Sequence, residues 1–204
     1  MTEMLQSLVA HGLHPAFLLV FGGLLVPVLP RSIRPWFMKL LPIFSLALVL
    51  ALPRPWHGFT FNWMGADFCL MRLDHLSFLW TVIFHIAAFL CVLYSLHVDD
   101  RTQHCAGLIY AGAAVGAVLA GDLGSLFIWW ELTAVASVFL IWARKTERAY
   151  RVGIRYLIVQ VGSGVLLLAG AAWHFQETGS IAFNAFDVKT PAGLLIFLAF
   201  GIKA

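Results

Sequence analysis

Charge is what this sequence has least of. Asp, Glu, Lys and Arg make up 11% of its 204 residues, against 61% hydrophobic ones. Soluble domains carry roughly 25% charged and about 45–50% apolar residues. A soluble chain of this size could not cover its surface with so few polar groups, so its solvent must be lipid, and the net charge of +3 is no nucleic-acid signal. The N-terminus lacks a basic stretch and carries Glu3, so it does not resemble a cleaved signal peptide. The cysteines, Cys69, Cys91 and Cys105, are odd in number and show neither CxxC nor Cys/His ligand spacing, which argues against a disulfide framework or a metal site. Phosphate loop, nucleophile elbow, dinucleotide fingerprint, haem-ligand pattern and iron–sulfur cysteine set are all missing. A chain doing its own redox chemistry is therefore disfavoured, and we expect a transporter subunit without cofactor rather than an enzyme.

What is present is a series of apolar runs of membrane-spanning length. They lie near 14–30, 35–53, 74–97, 104–121, 122–142 and 153–174, and a seventh starts at Pro191 and reaches the last residue. The fold class expected is all-α integral membrane: a multi-spanning helix bundle with about six transmembrane helices plus a truncated seventh. Asp122, after Gly121, is placed to cap the fifth helix, and Pro191 suits the first position of the seventh. The stretch 54–73 is too polar and too broken by Pro and Gly to span. Its alternation, Phe59-Thr60-Phe61-Asn62-Trp63, predicts a short hairpin at the membrane interface. Residues 1–103 read as three helices with this external loop, and 104–204 as the start of a second unit.

Basic residues set the orientation. Arg31, Arg34, Lys39, Arg101, Arg144, Lys145, Arg148, Arg151 and Arg155 fall on one side, against Arg54, Arg72 and Lys189 on the other. The first side, with the Arg144–Arg155 loop, is expected to be cytoplasmic; the N-terminus and the 54–73 loop are expected outside a bacterial inner membrane. Glu147 and Arg151 form a helical i,i+4 pair. Gly112-x-x-x-Gly116 in the fourth run predicts close helix packing.

Buried charge points to chemistry, because a charged side chain at mid-bilayer costs about 2.5–3.5 kcal/mol on insertion scales. Glu131 stands nine residues after Asp122, roughly 14 Å below the outer face. Lys203 stands twelve residues after Pro191 in a helix of the same direction, roughly 18 Å deep. Two helices thus bring a carboxylate and an ammonium to within about 5 Å of one depth. Together they make a candidate proton relay; the bland reading of Glu131 is a protonated, hydrogen-bonded glutamate. His85, alone in the middle of the third run, is either a packed histidine or a relay. Gln160 and Ser163 in the sixth line a hydrated path or bond between helices. Trp129 and Trp130 read as packing residues rather than a cofactor site.

At this point a family resemblance carries weight. Gly121-Asp122-Leu123 followed by LFIWWELTAVASVFLIW resembles the tryptophan-glutamate helix of proton-conducting antiporter-like membrane subunits. RLDHLSFLW at 72–80, YRVGIRYLIVQVGSGVLLLAG at 150–170 and LAFGIKA at 198–204 extend the likeness over most of the chain. It is similar to the D-type component of Mrp-type multisubunit Na+/H+ antiporters, with the membrane-arm subunits of respiratory complex I the nearest relatives. The resemblance implies that Glu131 of the fifth helix pairs with Lys203 of the seventh. It implies as partners the other membrane subunits of the antiporter complex, protons and Na+, and the lipid bilayer, with no nucleic acid. Because the family's later helices have no counterpart here, the chain is expected to be incomplete: a fragment, an interrupted frame or half of a split gene. Two alternatives accompany this reading, a proton-pumping subunit of an NADH–quinone or hydrogenase-type complex, and a non-conducting scaffold.

Overall fold

A computed structural model describes residues 13–183 and 185–203; the N-terminus, to which the external reading was also attached, lies outside the described residues. Among the described residues, seven helices follow the seven apolar runs in order. They are α1 (Pro15–Leu25, continued by a 3-10 turn at Val26–Val28), α2 (Arg34–Ala51), α3 (His75–Ser95), α4 (Arg101–Leu119), α5 (Leu123–Trp142), α6 (Glu147–Thr178) and α7 (Pro191–Lys203). Between α2 and α3 lies the expected hairpin, β1 (Trp56–Trp63) and β2 (Ala66–Leu73), paired antiparallel. Its two-residue turn, Met64-Gly65, has φ of 52° and 82°, the left-handed pair that a tight hairpin turn requires.

The helix starts are written in side chains that accept from free backbone N–H groups. Asp74, Asp100, Asp122 and Thr146 each cap the helix that follows, and Asp74 forms a full capping box with Ser77. α6 stops at Gly179, whose φ of 72° suits a residue without Cβ. Five helices, α2 to α6, are long and apolar enough to cross a membrane, while α1 with its 3-10 turn and α7 are shorter. In α1 the helix gives way at Val26-Pro27, so the apolar run is longer than the helix it forms. α6 differs the other way. The segment from Arg144 to Arg155, read as a loop, is mostly helix, and the connection shrinks to residues 143–146. Thr146 caps there and Glu147 sits in the first turn, where an acid favours the helix dipole; Arg151 Nη2 lies 3.7 Å from Glu147 Oε1.

α4 is the central helix, and its small residues explain why. A Cβ on Gly112 would meet Val20, Leu19 and the Ala16 carbonyl of α1, and one on Gly116 would enter the ring of Trp129 on α5. Leu19, Leu48, Leu119, Leu123 and Leu167 fill the interior, whereas Phe21, Trp36, Leu79, Ile128 and Val165 stand exposed. An apolar exterior of this extent belongs against lipid.

The two ends of the bundle are tied differently. At one, Arg31 pairs with Asp99, Lys145 Nζ with Asp100 Oδ2 at 2.8 Å, and Arg101 Nη1 donates to the Pro27 carbonyl at 3.2 Å. Three basic connections are thereby gathered on one side. At the other, Asp122 Oδ2 accepts from Cys69 N–H at 2.6 Å, Gly121 N–H donates to the Cys69 carbonyl at 2.9 Å, and Leu123 N–H donates to the Ile181 carbonyl at 3.0 Å. The hairpin, the α4–α5 turn and the segment before α7 are thus stitched by backbone.

Candidate functional site

Lys203 of α7 lands on Trp130 of α5, the residue that precedes Glu131 in the chain. Lys203 Nζ donates to the Trp130 carbonyl at 2.9 Å and lies 4.9 Å from the centre of its indole ring. The same carbonyl accepts from Thr133 Oγ1 at 2.7 Å. Both lone pairs of this carbonyl are thus engaged by side chains, one of them the lysine ammonium. Phe200, on the α7 turn before Lys203, packs edge-on against Trp130 with ring centroids 4.9 Å apart. The lysine is therefore oriented by a hydrogen bond and an aromatic face.

The carboxyl of Glu131, next along the chain, turns to α6. Its Oε1 occupies the space that a Cβ on Gly164 would take, and this buried atom has no hydrogen-bond partner. Among the described residues no ion pair joins Glu131 to Lys203. The two side chains are linked here only through Trp130, whose carbonyl holds the lysine. A buried carboxyl oxygen without a donor is costly.

Ser163 and Gln160 flank it on α6. Ser163 Oγ accepts from Trp130 Nε1 at 3.1 Å and donates to the Gln160 carbonyl at 2.6 Å, so it bonds between helices. Gln160 leaves its side-chain Oε1 buried and unpartnered. His85 belongs to a separate cluster. Its Nδ1 lies 2.7 Å from the Thr81 carbonyl, and its Nε2 lies 2.8 Å from Ser45 Oγ of α2.

Three features escape sequence reasoning. His14 is fully buried: Nδ1 accepts from Ala16 N–H at 3.1 Å as the cap of α1, and Nε2 reaches the Leu70 carbonyl of β2 at 3.3 Å. The His14-Pro15 order is the signal that could have shown it, since proline at the first helical position leaves the preceding residue as the cap. Asp122 does more than cap, because it also holds β2. Gly164 as the seat of a carboxyl has no mark in the sequence beyond a glycine in an apolar run.

With the geometry in hand, comparison with known proteins is informative. The chain is 32% identical over 178 residues to the A1 component of the Na(+)/H(+) antiporter of Staphylococcus haemolyticus (strain JCSC1435), an alignment covering 78% of this chain and 22% of that protein. It thus spans about a fifth of the length of the curated relatives it matches. The sequence motifs lead us to expect a D-type component, whereas these curated relatives are A-type ones. The fold is similar to one in the membrane-bound sulfane sulfur reductase, an archaeal respiratory membrane complex (TM-score 0.80, 21% identity, 94% of this chain and 33% of that one). It is similar also to one in the Mrp complex from Dietzia sp. DQ12-45-1b (TM-score 0.75, 23% identity, 92% and 22%). The family model described as "NADH:quinone oxidoreductase/Mrp antiporter, TM" matches residues 120–204, from the α4–α5 turn through Glu131 to the end of α7. That segment of this multi-spanning membrane protein is similar to the transmembrane family of NADH:quinone oxidoreductase and Mrp antiporter subunits.

Proposed function

We propose that the chain serves a monovalent cation/proton antiporter of the Mrp type, as part of a complex with other membrane subunits, and that Glu131 and Lys203 form its proton relay. The observation that carries this reading is the adjacency at Trp130. A lysine is anchored on that residue's carbonyl, beside a glutamate whose buried oxygen has no donor. A proton arriving at Glu131 removes the charge that Lys203 feels, and one leaving restores it, so the occupancy of one site changes the free energy of the other. Gln160, with its unpartnered oxygen, stands on the α6 face towards which a hydrated path would run. The basic connections gathered at one end support a cytoplasmic placement of that end in a bacterial inner membrane.

The test is Na+-dependent dissipation of a pH gradient in inverted membrane vesicles carrying the assembled complex. Glu131→Gln and Lys203→Ala are each expected to bring it to background while the protein remains in the membrane. Undiminished exchange in Glu131→Gln overturns the relay. The name of the matching family also covers NADH:quinone oxidoreductase. Loss of NADH-driven proton pumping on deletion, with sodium exchange intact, would favour that second assignment.

A further inference from the structure

His85 has more acceptors around it than a neutral imidazole has protons. It is 1% exposed, about 15 Å along α3 from the hairpin end. Nδ1 faces the Thr81 carbonyl at 2.7 Å and Nε2 faces Ser45 Oγ at 2.8 Å; Ser45 Oγ in turn lies 2.9 Å from the Pro15 carbonyl of α1. Carbonyl oxygens only accept, and a serine has one O–H. If that O–H goes to Pro15, both ring nitrogens must donate, so the three contacts need three protons. An imidazolium with the hydroxyl supplies three, and a neutral ring with the hydroxyl supplies two. With the ring neutral, Nδ1–H holds Thr81, and the hydroxyl must choose between Nε2 and Pro15. His14 shows the contrast: its Nδ1 is committed as an acceptor to Ala16 N–H, so one neutral tautomer satisfies it.

We infer that His85 and Ser45 form a proton-accepting pair, in which protonation of His85 Nε2 turns the Ser45 hydroxyl onto the Pro15 carbonyl. A proton delivered as hydronium from the acidified solution forms the Nε2–H bond and leaves water. The O–H···Nε2 hydrogen bond is replaced by Nε2–H···Oγ and O–H···O=C, and release of the proton reverses the exchange with no change of oxidation state. The charge state of α3 thereby sets whether α2 is tied to α1.

The charged groups on the neighbouring elements are engaged elsewhere. On α2, Arg34 donates to the Leu29 carbonyl and Lys39 lies over Trp36. On α4, Arg101 is held by Pro27 and His104 by the Val98 carbonyl. On β2, Arg72 lies by Asp74, and Asp67 accepts from Asn62. α1 offers only His14 among the described residues. Oxygen dipoles alone stabilise the imidazolium, which suits a proton that is held briefly and passed on. The pair uses neither Glu131 nor Lys203, so it stands or falls separately from the relay at Trp130.

The experiment is nitrogen NMR of the full chain in lipid nanodiscs with ring-15N histidine, titrated over about pH 5 to 8. Of eight histidines, His85 is identified by the signal missing in His85→Gln. The expected result is a doubly protonated His85 ring at the acid end. Ser45→Ala, which removes the acceptor of Nε2–H, should move the titration about one pH unit or more to acid, so that the protonated fraction falls about tenfold at pH values well above the wild-type midpoint. Ser45→Thr, which keeps the hydroxyl, should retain the wild-type titration. A single neutral tautomer of His85 throughout the wild-type titration overturns the inference, and so does an unchanged protonated fraction in Ser45→Ala.

Discussion

Asp122 is the point at which one substitution should loosen the most structure. Its carboxyl is 2% exposed and accepts three hydrogen bonds: Ser125 N–H at 2.7 Å, Ser125 Oγ at 2.7 Å and Cys69 N–H at 2.6 Å. Asp122→Ala removes the cap of α5, a loss of about 0.5–2 kcal/mol. It also leaves the Cys69 amide and the Ser125 hydroxyl in a buried setting without an acceptor, at about 1–3 kcal/mol each. Contacts that share one group are not additive, so the expected destabilisation is about 3–6 kcal/mol. Asp122→Asn keeps one oxygen and can still cap α5, but its amide group faces two donors, so roughly half the loss should remain. The assay is denaturant unfolding in mild detergent followed by tryptophan fluorescence, with amide exchange at Cys69 as the local probe. Cys69 should exchange faster in both variants. Finding Asp122→Ala within about 1 kcal/mol of wild type, or as stable as Asp122→Asn, would refute the assignment of this carboxyl as the tie between hairpin and bundle.

Two further outcomes follow from the same contacts. Gly164→Ala places a methyl where the Glu131 carboxyl sits, and that flexible end can move aside. Stability should therefore fall by less than about 1.5 kcal/mol while Na+-dependent proton exchange drops. Gly162→Ala, which points into open space, should leave exchange unchanged; equal exchange in the two variants would remove Gly164 from the site. Acid should weaken the fold through its caps. The Ser77 N–H bond holds the Asp74 carboxyl below the usual carboxylate range, and the Lys145 ammonium does the same for Asp100. A depressed folded value means that the stabilisation is present above the ordinary carboxylate pKa of about 4 and is lost as pH falls through the folded value. Melting temperature should be flat from about pH 8 to 5 and fall below about 4. Replacing both residues with Asn should flatten that fall, and an unaltered acid slope would show that other groups govern it.

The bundle was legible because its signals are one-dimensional. Length of apolar run, proline position and the Asp122 cap locate the helices, and alternation from Phe59 to Trp63 locates the hairpin. Depth is equally linear, which is why Glu131 and Lys203 stand out from residue counting. Azimuth is what the sequence conceals. A helix that is apolar on every side gives no stripe to say which face meets which neighbour. So the Trp130 carbonyl as the lysine's anchor, Gly164 as the carboxyl's seat and Ser45 as the partner of His85 emerge only in three dimensions. Charge misled in one respect: the basic residues after Arg144 suggested a loop, where a threonine cap and a first-turn glutamate carry the helix on to its start at Glu147.

The unequal stitching of the two ends gives the protein a mechanical polarity. Around Cys69, Asp122 and Ile181 the joints are short backbone bonds with a buried carboxyl, indifferent to the ions in the surrounding water. At the opposite end the clasps are ion pairs, with Arg31, Asp99 and Lys145 each more than half exposed, and dissolved salt screens such pairs. Rising ionic strength on that side should relax the bundle from one end only, with the helices splaying like the blades of a fan about the rivet formed by the hairpin.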